Sequence, residues 1–241
     1  MGFQETLAAH FPTAMPQGAY MEKTYEILQG HGFTGPNTIA CVGVCRDEIT
    51  SSFVDSVYTT WGEAFGLGSL AGMLFAGKTG FLAAQHHAPD LEGPPRYAFY
   101  AMAHIGISSD GQIGRCNRPG KSGLSSACGA LVALRNEIAA GRLSTEFDPD
   151  DPEQSLLKQR LMKRIRYGEV PPLVALTRLA HDVIREDLDR MLALTVDSPT
   201  ASYAALTGIQ IHGPDGIHLV APGSFRLLAE QKSYDLLSEL E

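Results

Sequence analysis

The sequence predicts an α/β fold: a largely parallel central β-sheet flanked by helices, with extra helices at the N-terminus. Three observations predict it. Thr38 to Val44 (TIACVGV) and Tyr97 to Ile107 (YAFYAMAHIGI) are continuous apolar runs, as expected of strands buried on both faces. Helical periodicity lies between and after them, most clearly from Leu173 to Leu194, where apolar side chains recur at 173, 176, 180, 183, 184, 188, 191 and 192. The alternation of strands with helices favours a parallel sheet over an antiparallel sandwich.

The first 36 residues space Tyr20, Tyr25, Ile27 and Leu28 helically and end among Gly30, Gly32, Gly35 and Pro36, which predicts helices packed outside the sheet. After TIACVGV come the polar RDE and a helical pattern from Ile49 to Phe65. Gly66 to Gly80 is rich in glycine and small residues, so a helix or loop is expected there in close contact with its neighbours. YAFYAMAHIGI stops at the turn signal SSDG, with Gln112 to Arg115 expected beside it. Ser125 and Ser126 open an apolar periodic run from Ala127 to Ala140, closed by Gly141. LTGIQIH, GPDG and IHLVA then predict a hairpin of edge strands. No internal repeat is found, and residues 1–241 read as a single α/β domain, with 1–36 as a helical extension and 37–228 as the core.

Hydrophobic residues make up 44% of the chain and charged residues 19%, a globular balance. A formal net charge of -8 leaves no general cationic surface, so neither nucleic acid nor an anionic membrane is an expected partner. The basic run KQRLMKRIR follows the acidic FDPDDPEQ and reads as a solvated helix face. No segment reaches the ~18 apolar residues of a spanning helix, and Met1 to Met15 lacks the pattern of a secretory signal. A soluble, cytoplasmic protein is expected. Cys41, Cys45, Cys116 and Cys128 are too few and too irregular for a disulfide framework, which predicts reduced thiols, some of them metal ligands.

In open α/β sheets the working groups collect at the carboxyl ends of strands. Cys45 directly follows one predicted strand, His104 lies near the end of another, and Cys128 begins the helix after the next loop. Two thiolates and one imidazole suit zinc and leave a fourth position for water. Helix N-termini at both cysteines would favour the thiolate form. By spacing alone, two small core thiols and a buried histidine would look the same, because no CxxC or HxxxH signature enforces the metal. Asp47, two residues after Cys45, would set a carboxylate beside the metal water, while Asp47 and Glu48 also suit an ordinary first helical turn.

These residues resemble a known family, the limiting-CO2-inducible B/C proteins of carbon-concentrating algae and their bacterial relatives, sometimes grouped as theta-class carbonic anhydrases. The resemblance covers NTIACVGVCRDE at 37–48, GLGSLAGMLFAGKTG, RYAFYAMAHIGISSDGQIG at 96–114, RPGKSGLSSACGAL at 118–131 and the closing LTGIQIH. It implies a β-carbonic-anhydrase-like fold, a Zn2+ site on Cys45, His104 and Cys128, a homodimer, and reversible hydration of CO2 to bicarbonate by zinc-bound hydroxide. The β-class pattern is Cys-x-Asp-x-Arg, and Ile49 stands here where the arginine would be. Asp47 and Arg46 are therefore the expected catalytic pair, with Arg115 and Arg118 as alternative partners for Asp47. The rival reading is a catalytically inactive, zinc-stabilised scaffold that binds a partner. A third is a zinc hydrolase of a small ester or amide.

Other signals weigh less. GMLFAGKT satisfies the P-loop pattern without a β-branched strand before it. His86 and His87 could relay protons, and His212 and His218 could form a second metal site across the hairpin, but surface-loop and cross-strand polar residues are the ordinary reading. A four-cysteine structural site is the remaining rival for the metal.

Overall fold

The computed structural model describes residues 1–90, 93–118, 120–197 and 200–240. In chain order the elements are α1 (Phe3–His10), β1 (Met15–Pro16), α2 (Gln17–Gly30), β2 (Thr38–Gly43), α3 (Ser51–Trp61), β3 (Ala64–Gly66), α4 (Gly77–Gln85), β4 (Arg96–Gly106), β5 (Arg115–Cys116) and β6 (Ser125–Ser126). They continue through α5 (Gly129–Ala139), α6 (Pro152–Met162), α7 (Leu173–Thr195), β7 (Ser202–His212), β8 (His218–Ala229) and β9 (Lys232–Asp235). The sheet runs β1-β8-β7-β4-β2-β3, with β9 also on β8. Its β3-β2-β4-β7 portion is parallel, and β8 joins it antiparallel. No described helix is long and apolar enough to cross a membrane.

Alternation along β4 divides the core. Phe99, Ala101, Ala103 and Ile105 face a layer that includes Leu131, Leu134, Leu157, Val174, Leu176, Ile184 and Leu188 from α5, α6 and α7. Ala98, Tyr100 and Met102 face the opposite layer, where α2 and α3 supply Tyr20, Leu28, Phe53, Val57 and Trp61. Each fully buried large side chain contributes about 1.5–3 kcal/mol by leaving water.

Three expectations need correction. The helix expected over 49–65 is α3 alone, because the chain turns out at Gly62, whose N–H caps Tyr58 O at 2.8 Å, and Ala64–Gly66 returns as a strand beside β2. The closing hairpin is not a pair of edge strands: β7 lies between β4 and β8 and is buried along nearly its whole length. The N-terminal extension is not purely helical, since Met15 and Pro16 pair with β8. The two- and three-residue strands Met15–Pro16 and Ala64–Gly66 carry too little periodicity to separate from loops, and the central place of β7 is a matter of strand order rather than of local pattern.

Two features of this frame shape the carboxyl end of the sheet. The β2–β4 pairing ends at Gly43↔Ala101, whereas β4 stays paired with β7 through His104↔Gln210 and on to Gly106↔His212. The end of β4 thus overhangs β2, and the loop after β2 fills the notch. The glycine-rich segment closes over that loop from the other side. A Cβ on Gly68 would overlap Val44 O, and one on Gly72, at φ +80, would overlap Met102 O. The close packing expected of this segment is therefore contact within the chain. Glu153, in the first turn of α6, ties the layers together by accepting Leu70 N–H at 2.9 Å and the Arg46 guanidinium at 2.6 Å and 2.9 Å.

We expect Gly72→Ala to cost about 2 kcal/mol or more, from a side chain at positive φ driven into a carbonyl. That lowers Tm by roughly 4–8 °C for a chain this size. Gly66→Ala, which meets nothing within 4 Å, should leave Tm near the parent value in the same calorimetric scan. Glu153→Gln should cost about 0.5–1 kcal/mol at neutral pH, the scale of a screened surface pair. The Arg46 guanidinium holds the Glu153 carboxyl below the ordinary value of 4.5, so the contribution is present above that value and lost as pH falls through the lower folded one. Denaturant midpoints of parent and Glu153→Gln should converge in acid; a constant gap at every pH would contradict the pairing.

Candidate metal centre

Cys45 sits two residues past the end of β2, in a turn stapled by Thr50 Oγ1, which donates to Cys45 O at 2.8 Å and Asp47 O at 2.9 Å. Cys128 is the N-cap residue of α5 rather than part of its first turn, and Val132 N–H donates to its carbonyl at 3.1 Å. His104 comes from the overhanging end of β4 and is completely buried. The ligand atoms of these three residues all lie within 4.8 Å of one another. Cys41, inside β2, and Cys116, in β5, are not part of this group, so the four-cysteine arrangement does not form among the described residues.

The donor set fits a zinc ion on two counts. The two Sγ atoms are 3.9 Å apart, close to the ~3.8 Å that a tetrahedral metal with ~2.3 Å metal–sulfur bonds would impose. Both ring nitrogens of His104 are buried without a hydrogen-bond partner. An orphaned buried polar atom costs about 1–3 kcal/mol, a penalty that a coordinated cation removes.

The surroundings favour a thiolate. The Cys128 thiol, donating toward Cys45, draws the Cys45 pKa well down against the opposing effect of burial, with help from His104 and the Asp47 N–H. Cys128 moves the other way, raised by that same bond to Cys45 and by burial, while the Leu131 and Ala130 N–H groups at the start of α5 pull it down. The opposite shifts favour the thiolate on Cys45 and the thiol on Cys128. Ala71 N–H also points at Cys45 Sγ, at 3.2 Å. This bond belongs to the turn that Glu153 pins through Leu70.

Asp47 follows Cys45 by two residues in the same turn, and its partner is Arg118. The guanidinium grips both carboxylate oxygens, at 2.6 Å and 2.8 Å, and donates to Ser126 O at 2.8 Å and to the exposed Glu48. Burial alone would raise the Asp47 carboxyl; the Arg118 bonds, the nearby His104 and the Ile49 N–H outweigh it and keep the carboxyl below its ordinary value. Asp47 therefore both caps the turn at Ile49 and forms a nearly buried ion pair, since the two side chains are only 11% and 13% exposed. Arg46, the expected partner, points outward to Glu153, and Arg115 donates to Leu124 O. The physical reason is direction: adjacent side chains on an extended turn diverge, so the arginine next to Asp47 in sequence cannot fold back onto it, while one from a distant loop can.

A cavity of about 610 Å3, bordered by Glu48, Arg118, His212 and His218, opens this region to solvent. His212 lies edge-on to His104, ring centroids 5.3 Å apart, and its Nδ1 is 3.0 Å from Nδ1 of His218. Burial keeps both His212 and His218 below the ordinary histidine pKa. The hairpin histidines are thus neighbours of the candidate ligand rather than a remote edge pair. His86 and His87 are placed elsewhere. They border cavities that reach Asn37, Thr38 and Arg96, at the amino ends of β2 and β4, roughly 26 Å of extended strand from His104. GMLFAGKT follows a short 3-10 turn rather than a strand and is no P-loop. Gln210 went unnoticed in the sequence, although a lone amide in the apolar run LTGIQIH is itself a signal.

A search of curated protein sequences finds no match. Among solved structures, the crystal structure of limiting CO2-inducible protein LCIB shares 34% identity, covering 95% of this chain and 96% of that one with a TM-score of 0.79. PtLCIB4, a homologue of LCIB, shares 23% identity over 96% and 98% of the two chains, with a TM-score of 0.82. The family model for limiting CO2-inducible proteins B/C, β-carbonic anhydrases, matches residues 14–229. The chain belongs to the limiting CO2-inducible B/C family of β-carbonic-anhydrase-like proteins.

Proposed function

We propose that this chain is a zinc carbonic anhydrase that interconverts CO2 and bicarbonate, with Cys45, His104 and Cys128 as metal ligands and Asp47 acting beside them. The observation that carries the reading is the convergence of three buried ligand atoms within 4.8 Å next to a carboxylate held ionised by Arg118. Zinc bound there would supply a Lewis acid that lowers the pKa of water toward neutrality. The Asp47 carboxylate, being an acceptor only, would take the hydrogen bond of a reacting water and turn its lone pair toward the carbon of CO2. Arg118 keeps Asp47 charged and fixes its orientation by a two-point grip. Arg46 serves the fold, holding α6 and the glycine-rich turn over the thiolates through Glu153. His212 and His218 border the opening through which protons and bicarbonate would exchange with solvent.

The test is stopped-flow CO2 hydration on zinc-quantified protein. Cys45→Ala should abolish activity, and Asp47→Ala and Arg118→Ala should each lower it about 10²-fold, the scale of a lost general-base contribution. Arg46→Ala should stay within about threefold of the parent, since its side chain pairs with the partly exposed Glu153 rather than with Asp47. Two thiolate ligands cancel the charge of the metal and weaken its acidity, so the rate should rise across about pH 6.5 to 9. A rate that falls steadily above about pH 7 would count against this mechanism. Full zinc occupancy with no activity at any pH would instead support the inactive, zinc-stabilised scaffold.

The reading includes a homodimer working in the cytoplasm. Four free, buried cysteines suit a reducing compartment. Light scattering on the same preparation should give twice the chain mass; a strictly monomeric, active protein would remove the dimer from the proposal.

A further inference from the structure

Five buried polar atoms gather on one face of the sheet with no hydrogen-bond partner: His104 Nδ1 and Nε2, Gln210 Oε1 and Nε2, and His212 Nε2. Their placement is not scattered. His104 and Gln210 are register partners on adjacent parallel strands, so their side chains leave the sheet side by side, and His212 follows Gln210 by two residues on the same face. All three are buried, with Gln210 and His212 each only 1% exposed. A buried carboxamide with neither end bonded is rare in folded proteins and calls for a ligand or a rearranged partner.

A metal on one nitrogen of His104 would account for one of the five atoms, and the other four offer two matched donor–acceptor pairs. We propose that Gln210 is the positioning residue of the metal-ligating imidazole: its Oε1 accepts the remaining His104 N–H, and its Nε2 donates to His212 Nε2. The inference rests on the zinc reading above. It assigns every proton. His212, accepting at Nε2, carries its hydrogen on Nδ1 and donates it to His218 Nδ1, the pair that lies 3.0 Å apart. The chain of bonds therefore runs from the metal ligand through Gln210 and His212 to His218 at the edge of the 610 Å3 cavity. A ligating imidazole commonly donates its second N–H to a carboxylate, a backbone carbonyl or a water, which fixes the ring and raises its basicity. Here the neighbouring strand would supply a carboxamide oxygen for that purpose.

The test measures zinc affinity by competition with a chromophoric chelator, beside thermal unfolding of the metal-free protein. Gln210→Met keeps length and burial but removes both polar ends. It should weaken zinc binding about 10–100-fold, a larger loss than any accompanying fall in the stability of the metal-free protein. Gln210→Glu, which retains the accepting oxygen, should bind zinc within about threefold of the parent or more tightly. Gln210→Met within about twofold of the parent in affinity, or a loss matched by an equal fall in metal-free stability, would overturn the assignment. A reading independent of any variant comes from histidine-selective 15N spectra of the zinc-loaded parent: His212 should be the Nδ1–H tautomer, and finding the Nε2–H tautomer would overturn the proposal. A parent that takes up no stoichiometric zinc sinks the zinc reading itself, whereas zinc uptake unaffected by Gln210→Met sinks only the role of Gln210.

Discussion

Two sulfurs and an imidazole held within 4.8 Å of each other in a buried site set the terms for the rest of the structure. Such a group is costly to bury: its thiolate charge must be compensated, and its imidazole is fully withdrawn from the surface. The chain responds by aiming backbone N–H groups at the sulfurs, from Ala71 and Asp47 toward Cys45 and from the start of α5 toward Cys128. These dipoles are fixed by structure, so they are in place before any ligand arrives. The remaining deficit is an unpartnered His104, which a bound divalent cation would relieve.

The supporting contacts are arranged in depth around that group. The overhang of β4 beyond β2 makes the notch, and the turn stapled by Thr50 fills it with Cys45. The glycine-rich segment can approach the sheet because Gly68 and Gly72 have no side chain to meet the carbonyls of Val44 and Met102. Glu153 then links this segment to Arg46, so that α6 holds the turn carrying the Ala71 N–H. The two acidic–basic pairs nearby have different physical standing. Arg118–Asp47 is nearly buried and doubly bonded, where attraction is weakly screened. Arg46–Glu153 has an arginine 63% exposed, and solvent weakens it to an ordinary surface contact.

On the far side of the ligands, the even-numbered face of β4 and β7 changes character along its length. Near the middle it is apolar, with Tyr100, Met102 and Leu206 packed against α2 and α3. At the carboxyl end the same face presents His104, Gln210 and His212. These three buried polar side chains sit near the strand ends, where His212 borders the cavity.

The strands TIACVGV and YAFYAMAHIGI, the helix from Leu173, and the positions of Cys45 and His104 at strand ends could be read from the chain, because continuous apolar runs and helical periodicity are properties of consecutive residues. The gathering of Cys45, His104 and Cys128 was expected on the same reasoning together with family resemblance, and the structure brings them together. Whether Asp47 would meet Arg46, Arg115 or Arg118 was not legible, since 71 residues of chain separate the partners that do meet and the choice depends on where two loops converge. The central place of β7, the return of Ala64–Gly66 as a strand and the alignment of Gln210 with His104 are likewise matters of strand order and register. Local sequence determines which segments become strands and helices and which side chains can ligate; only tertiary packing decides which distant residues become neighbours, because that is settled by how whole faces fit together.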